Sequence, residues 1–133
     1  MAKMNPVVHF EMAAEDGKRM SEFYAKAFGW KSQHLGEEMG NYIVVQTTET
    51  DAQGMVQTKG AINGGIYQKL EDPNMNHPSI VISVDNIHVS MEKITAAGGK
   101  LLGEPMPIPG VGEFVSFIDT EGNRASILQP LAM

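Results

Sequence analysis

Residues 16–30, Asp-Gly-Lys-Arg-Met-Ser-Glu-Phe-Tyr-Ala-Lys-Ala-Phe-Gly-Trp, decide how the rest of the chain is read. Met20, Phe23, Tyr24, Ala27 and Phe28 recur at the spacing of one helix face, and Gly29 is the residue that ends such a helix. Shifting the sequence by 70 positions lays this stretch on residues 86–100, so that Asp16 meets Asn86, Glu22 meets Glu92, Ala27 meets Ala97 and Gly29 meets Gly99 without a gap. Three identities carry little weight alone. The elements on either side repeat in the same order, and that order makes an internal duplication the better reading.

Working outward, residues 6–12 alternate as a strand, with Val7, His9 and Glu11 on one face and Val8, Phe10 and Met12 on the other. Strands are also expected at 30–33, 42–47 and 61–68, with a polar loop over 48–59. Residues 69–78 carry two prolines among polar side chains and read as a linker. The pattern then restarts. Ser79–Val84 is rich in strand formers, Ile87, Met91 and Ile94 mark a helix face closed by Gly98-Gly99, and strands follow near 100–102, 113–118 and 124–129. Each half is thus β-α-β-β-β. The fold class is α+β, one domain over 1–133 made of module one (5–68), the linker (69–78) and module two (79–130).

Composition bounds what such a domain can do. The 133 residues match a prior of about 150 per domain, and 42% hydrophobic with 20% charged residues is an ordinary globular balance. Ten Lys and Arg against sixteen Asp and Glu leave a net charge of −6, too little positive charge to hold a nucleic-acid backbone. The absence of cysteine removes disulfides, thiolate zinc sites and Cys nucleophiles together. No stretch reads as a signal sequence or membrane span, so a cytoplasmic protein is expected.

Two β-α-β-β-β modules in this length, with the helix end Met-Ser-Glu-Phe-Tyr-Ala-Lys-Ala-Phe-Gly-Trp at 20–30, resemble the vicinal oxygen chelate superfamily of glyoxalase I, bleomycin-resistance proteins and extradiol dioxygenases. Ser-Val-Asp-Asn at 83–86, Ala-Ala-Gly-Gly-Lys at 96–100, Pro-Met-Pro-Ile-Pro-Gly-Val-Gly at 105–112 and Asp-Thr-Glu-Gly-Asn at 119–123 add to the likeness, the last two pointing to its glyoxalase-related branch. The resemblance implies a curved mixed sheet forming a cup, commonly in a homodimer. It also implies, for the metal enzymes of the family, one ligand on the first strand and one on the last strand of each module. His9, fifteen residues before Tyr24, matches the first of these positions. The other three fall on Ser79, Gly65 and Ser126, which are poor ligands or none. His9 is the only matching ligand position, so no metal or other cofactor is expected. A divalent metal would need Glu11, His77, Glu113 or a partner chain to supply ligands from new places.

The expectation is a metal-free protein binding a small, partly apolar organic molecule, with His9, Glu11, Asn63, Gly65, Ser79, Val81 and Ser126 in the site. The alternative is a lyase, isomerase or dioxygenase-like enzyme with a non-standard metal site, or a metal-independent catalyst using His9 as its base. Each residue also has a plainer reading: His9 as a half-buried polar group satisfied by a neighbour, and Asn63, Ser79 and Ser126 as filler where ligands are missing. Tyr24 and Phe28 are assigned to packing. The Pro105–Gly112 segment reads as a shaped loop at a pocket edge or a stiff connection. A small organic molecule and a second copy of the chain are the expected partners, with no nucleic acid and no membrane.

Overall fold

The computed structural model describes residues 4–131. Nine strands and two α-helices follow in the order β1 (Val7–Ala14), α1 (Gly17–Phe28), β2 (Lys31–His34), β3 (Ile43–Gln46), β4 (Asn63–Gln68), β5 (Ser79–Ser83), α2 (Ile87–Ala96), β6 (Lys100–Leu101), β7 (Met106–Ile108), β8 (Gly112–Ile118) and β9 (Arg124–Pro130). By contacts the described residues divide into a first unit, His9–Pro78, and a second unit of 79–131 with 4–8. Among the described residues no helix is long and apolar enough to cross a membrane.

In the first unit the strands run in the order β2-β3-β4-β1; the first three neighbours are antiparallel, while β4 and β1 are parallel. Asp16 starts α1 by accepting from the Arg19 amide at 3.0 Å, and Gly29 ends it in the left-handed region at φ 76°. Alternation along β1 sends Phe10, Met12 and Ala14 to the helix side. There Ala14, Ile43, Val45 and Ile66 form the buried core, with Phe10, Met20 and Trp30 packed against it. The same alternation sends His9, Glu11 and Ala13 to the opposite face, level with Asn63, Gly65 and Tyr67 of β4.

The second unit repeats this plan with β5-β9-β8-β6, β5 and β9 being parallel. Asn86 caps α2 through the amides of His88 and Val89 at 3.0 and 3.1 Å, as its counterpart Asp16 caps α1. The core is Val84, Ile87, Val115 and Ile127, joined by Ile82, Met91, Ile94 and Phe117. Even the tethers correspond. Gln68 at the end of β4 donates to the Glu15 carbonyl just before α1, and Gln129 near the end of β9 accepts from the Ile87 amide at the start of α2. One correspondence is offset by a residue: the left-handed glycine after α2 is Gly98, at φ 101°, whereas the shift aligns Gly29 with Gly99.

Two expectations are corrected. The Pro105–Gly112 segment is not a loop throughout, because Met106–Ile108 forms β7, paired antiparallel with Phe114–Gly112 of β8. Pro107 is tolerated there because β7 is an edge strand that bonds on one side only. The second correction concerns the α1 aromatics. Tyr24 does pack, stacking on Trp30 with ring centroids 4.5 Å apart, but Phe28 is 64% exposed and Phe23 57%. Phe28 still meets the rings of Tyr24 and Trp30, at 5.9 and 6.2 Å between centroids, so it packs on one side and stays open on the other.

Candidate functional site

Parallel pairing of β1 with β4 puts Glu11 opposite Gly65 and His9 opposite Asn63. A parallel pairing of β5 with β9 puts Val81 opposite Ser126. The two registers are equivalent under the repeat, so each unit brings its expected residues onto one face: His9, Glu11, Asn63 and Gly65 in the first, Ser79, Val81 and Ser126 in the second.

The first unit supplies the chemistry. Tyr42, at the entrance to β3, lies over this face with its hydroxyl 3.0 Å from Glu11 Oε2 and 3.1 Å from His9 Nε2. Gly65 is what admits it. A Cβ built on Gly65 would land on the Tyr42 hydroxyl and overlap Cζ of its ring, just as a Cβ on the neighbouring Gly64 would strike the Phe10 ring on the other face. The consecutive glycines therefore open both faces of β4 to aromatic side chains. Glu11 is buried, and His9 is half-buried. Burial holds the His9 imidazole below its ordinary value of 6.5, favouring the neutral ring. The Tyr42 hydroxyl is pushed far above its ordinary value of 10.0, first by burial, then by the charge of Glu11 and its hydrogen bond, then by Tyr67. Tyr42 keeps its proton.

Asn63 does something different. Its Oδ1 accepts from the Thr47 and Thr48 amides at 2.8 and 3.3 Å, securing the chain as it leaves β3. In the second unit Ser126 is buried and shares a 2.8 Å hydrogen bond with Ser116 across the β8–β9 pairing, and Arg124 Nη2 donates to Ser116 Oγ at 3.3 Å. Ser79 is buried with no hydrogen-bond partner for its Oγ among the described residues. Val81 contributes a buried apolar side chain beside Ser126.

The metal that the resemblance implies does not fit these residues. Divalent sites of this kind need at least three nitrogen or oxygen donors of the right type. The matched positions hold one imidazole, one glycine and two serines, and the imidazole Nε2 is already bonded to Tyr42. Among the described residues no three His, Asp or Glu side chains gather at one place.

A hollow of about 410 Å³ opens on the helix side of β1, lined by Phe10, Met12, Trp30, Thr47, Ile62 and Pro78. It has volume but little to fix a ligand's orientation, since Thr47 Oγ1 is already bonded to the Ile62 carbonyl at 2.6 Å. The polar face of β1 carries the chemistry instead. Tyr42 was not among the residues expected there, because no spacing rule links it to His9. The signal that pointed toward it was Gly65, an absent side chain in the middle of a strand.

A repeated β-α-β-β-β plan with these registers defines the fold, and comparison places it. The chain belongs to the Glyoxalase/Bleomycin resistance protein/Dioxygenase superfamily, whose family model matches residues 7–127. It is 30% identical over 118 residues to a glyoxylase-like domain-containing protein of Didymella fabae, covering 88% of each chain. Among solved structures it resembles a Streptomyces coelicolor methylmalonyl-CoA epimerase in complex with 2-nitronate-propionyl-CoA, at TM-score 0.70 and 17% identity over 98% of this chain and 100% of that one. The hypothetical protein BH1468 of Bacillus halodurans is similar at TM-score 0.68 and 15% identity, with 98% of both chains covered. At these identities the structural likeness speaks to the fold.

Proposed function

We propose that this protein binds a small, partly apolar organic molecule without a metal, at the face carrying His9, Glu11 and Tyr42. The observation behind the reading is the Tyr42 hydroxyl: it fills the space over Gly65 and occupies the Nε2 atom of the one histidine that matches a ligand position. Asn63 and Gly65 belong to the same proposed face, and Ser79, Val81 and Ser126 form the equivalent face of the second unit. The epimerase neighbour was solved with a small-molecule ligand, which supports a binding role for the same fold. The proposal extends to a cytoplasmic protein that pairs with a second copy and takes no nucleic acid. Exposed Phe23 and Phe28 support the pairing, since apolar surface of this kind is stabilised by cover.

A calorimetric titration against a panel of amphipathic antibiotics and aromatic metabolites tests the binding role. The expected result is saturable binding of at least one member, weakened by His9→Gln. Uniform failure to bind in a folded sample contradicts the proposal. A second reading, a metal-independent enzyme with His9 as base, is favoured by the neutral imidazole. It predicts turnover of an identified ligand that His9→Gln abolishes.

A further inference from the structure

The three side chains on this face contain a proton arrangement that can be worked out from donor and acceptor counting. A tyrosine hydroxyl has one proton to give and lone pairs to receive with. An ionised carboxylate only accepts. The bond between Tyr42 and Glu11 Oε2, at 3.0 Å, therefore uses the hydroxyl's proton. The 3.1 Å contact between Tyr42 and His9 Nε2 must then run the other way, with Nε2–H donating to the hydroxyl oxygen. A neutral imidazole carries one proton, so Nδ1 is left with a lone pair. Nδ1 has no hydrogen-bond partner among the described residues and is not one of their fully enclosed unbonded polar atoms, so it is left available to a ligand.

We infer that Tyr42 is a positioning residue that couples Glu11 to His9, holding the imidazole in its Nε2–H form so that Nδ1 accepts a hydrogen bond from the ligand. The ligand group that suits this site is a neutral, weakly acidic O–H or N–H, as in a phenol or an enol. A carboxylate or phosphate is disfavoured, because its ionised form has no proton to give Nδ1. The same arrangement orients the imidazole as carboxylate–imidazole pairs do elsewhere, here with a hydroxyl between them. The inference rests on the metal-free reading, because a metal on His9 would compete with Tyr42 for Nε2.

Two-bond proton–nitrogen correlation spectra of ¹⁵N-histidine-labelled protein at neutral pH test it, with His9→Gln assigning the signals. The expected wild-type spectrum shows His9 protonated at Nε2 and pyridine-like at Nδ1. Tyr42→Phe, which keeps the ring over Gly65, should leave a mixture of the two tautomers. Phenol should perturb the Nδ1 resonance while benzoate does not, and Tyr42→Phe should weaken phenol binding by about twofold, the loss expected when only about half of the imidazole keeps the competent tautomer. A wild-type His9 protonated at Nδ1 overturns the inference while leaving the metal-free reading intact. So does a Tyr42→Phe spectrum identical to wild type, or benzoate bound as tightly as phenol. Loss of the Tyr42 bond on adding Zn²⁺ would instead overturn the metal-free reading itself.

Discussion

Replacing Gly65 by alanine should destabilise the protein only while Tyr42 is present. A glycine in the middle of an extended strand normally gains stability on becoming alanine, by about 0.5–1 kcal/mol, because the unfolded chain loses freedom. Gly65 lies in β4 outside the left-handed region, so its backbone does not oppose the change. The obstacle is the Tyr42 ring, whose hydroxyl occupies the position the new methyl would take. Either the strand absorbs an overpacking strain of about 1–3 kcal/mol, or the ring swings out and gives up its bond to Glu11, worth about 1.5–3 kcal/mol for a charged acceptor. After the intrinsic gain is set against this, Gly65→Ala should cost about 1–2 kcal/mol in the wild-type background. In a Tyr42→Ala background the same change should be neutral or stabilising by about 0.5–1 kcal/mol. The double-mutant cycle thus predicts a coupling of roughly 1–3 kcal/mol, with the cost of the alanine gone once Tyr42 is removed. Urea unfolding followed by fluorescence of Trp30, the single tryptophan, measures it. Equal costs in both backgrounds would refute the account of how Gly65 admits Tyr42.

Other outcomes follow from the same structure. Acid should destabilise the protein through His9: its folded value lies below 6.5, so the unfolded chain binds the extra proton first, and stability falls as pH drops through the window below 6.5. Urea midpoints measured across that range should flatten in His9→Gln. At the alkaline end, stability should decline above pH 10.0, where an unfolded tyrosine ionises and buried Tyr42 does not; Tyr42→Phe should reduce that slope. Asn63→Ala should cost about 1–2 kcal/mol and speed hydrogen exchange at the Thr47 and Thr48 amides it bonds, with unchanged exchange there counting against the assignment. Sedimentation at micromolar concentration should show a dimer that Phe23→Ser with Phe28→Ser weakens, and a wild-type monomer would contradict the proposed pairing.

Much of the fold was legible because helix period, cap and stop recur together: Asp16 and Asn86 both cap, and the glutamines Gln68 and Gln129 both tether a helix start. The equivalence of Gly65 with Ser126 could be drawn from spacing and agrees with the registers Glu11–Gly65 and Val81–Ser126. Other features were hidden for physical reasons. Pro107 argues against a strand unless one knows that β7 bonds on one side only. Phe28 continues an apolar stripe, and periodicity says which residues share a face but not how much of each stays exposed. Tyr42 meets His9 and Glu11 across 33 and 31 residues of chain, a contact made by strand pairing that no local pattern encodes.

The most direct test of the metal-free account is metal content after purification without chelators, followed by titration of wild type and His9→Ala with Ni²⁺, Zn²⁺, Mn²⁺ and anaerobic Fe²⁺. The account predicts no stoichiometric metal in either protein and no saturable site in the titrations. One equivalent bound by wild type and lost in His9→Ala would contradict it.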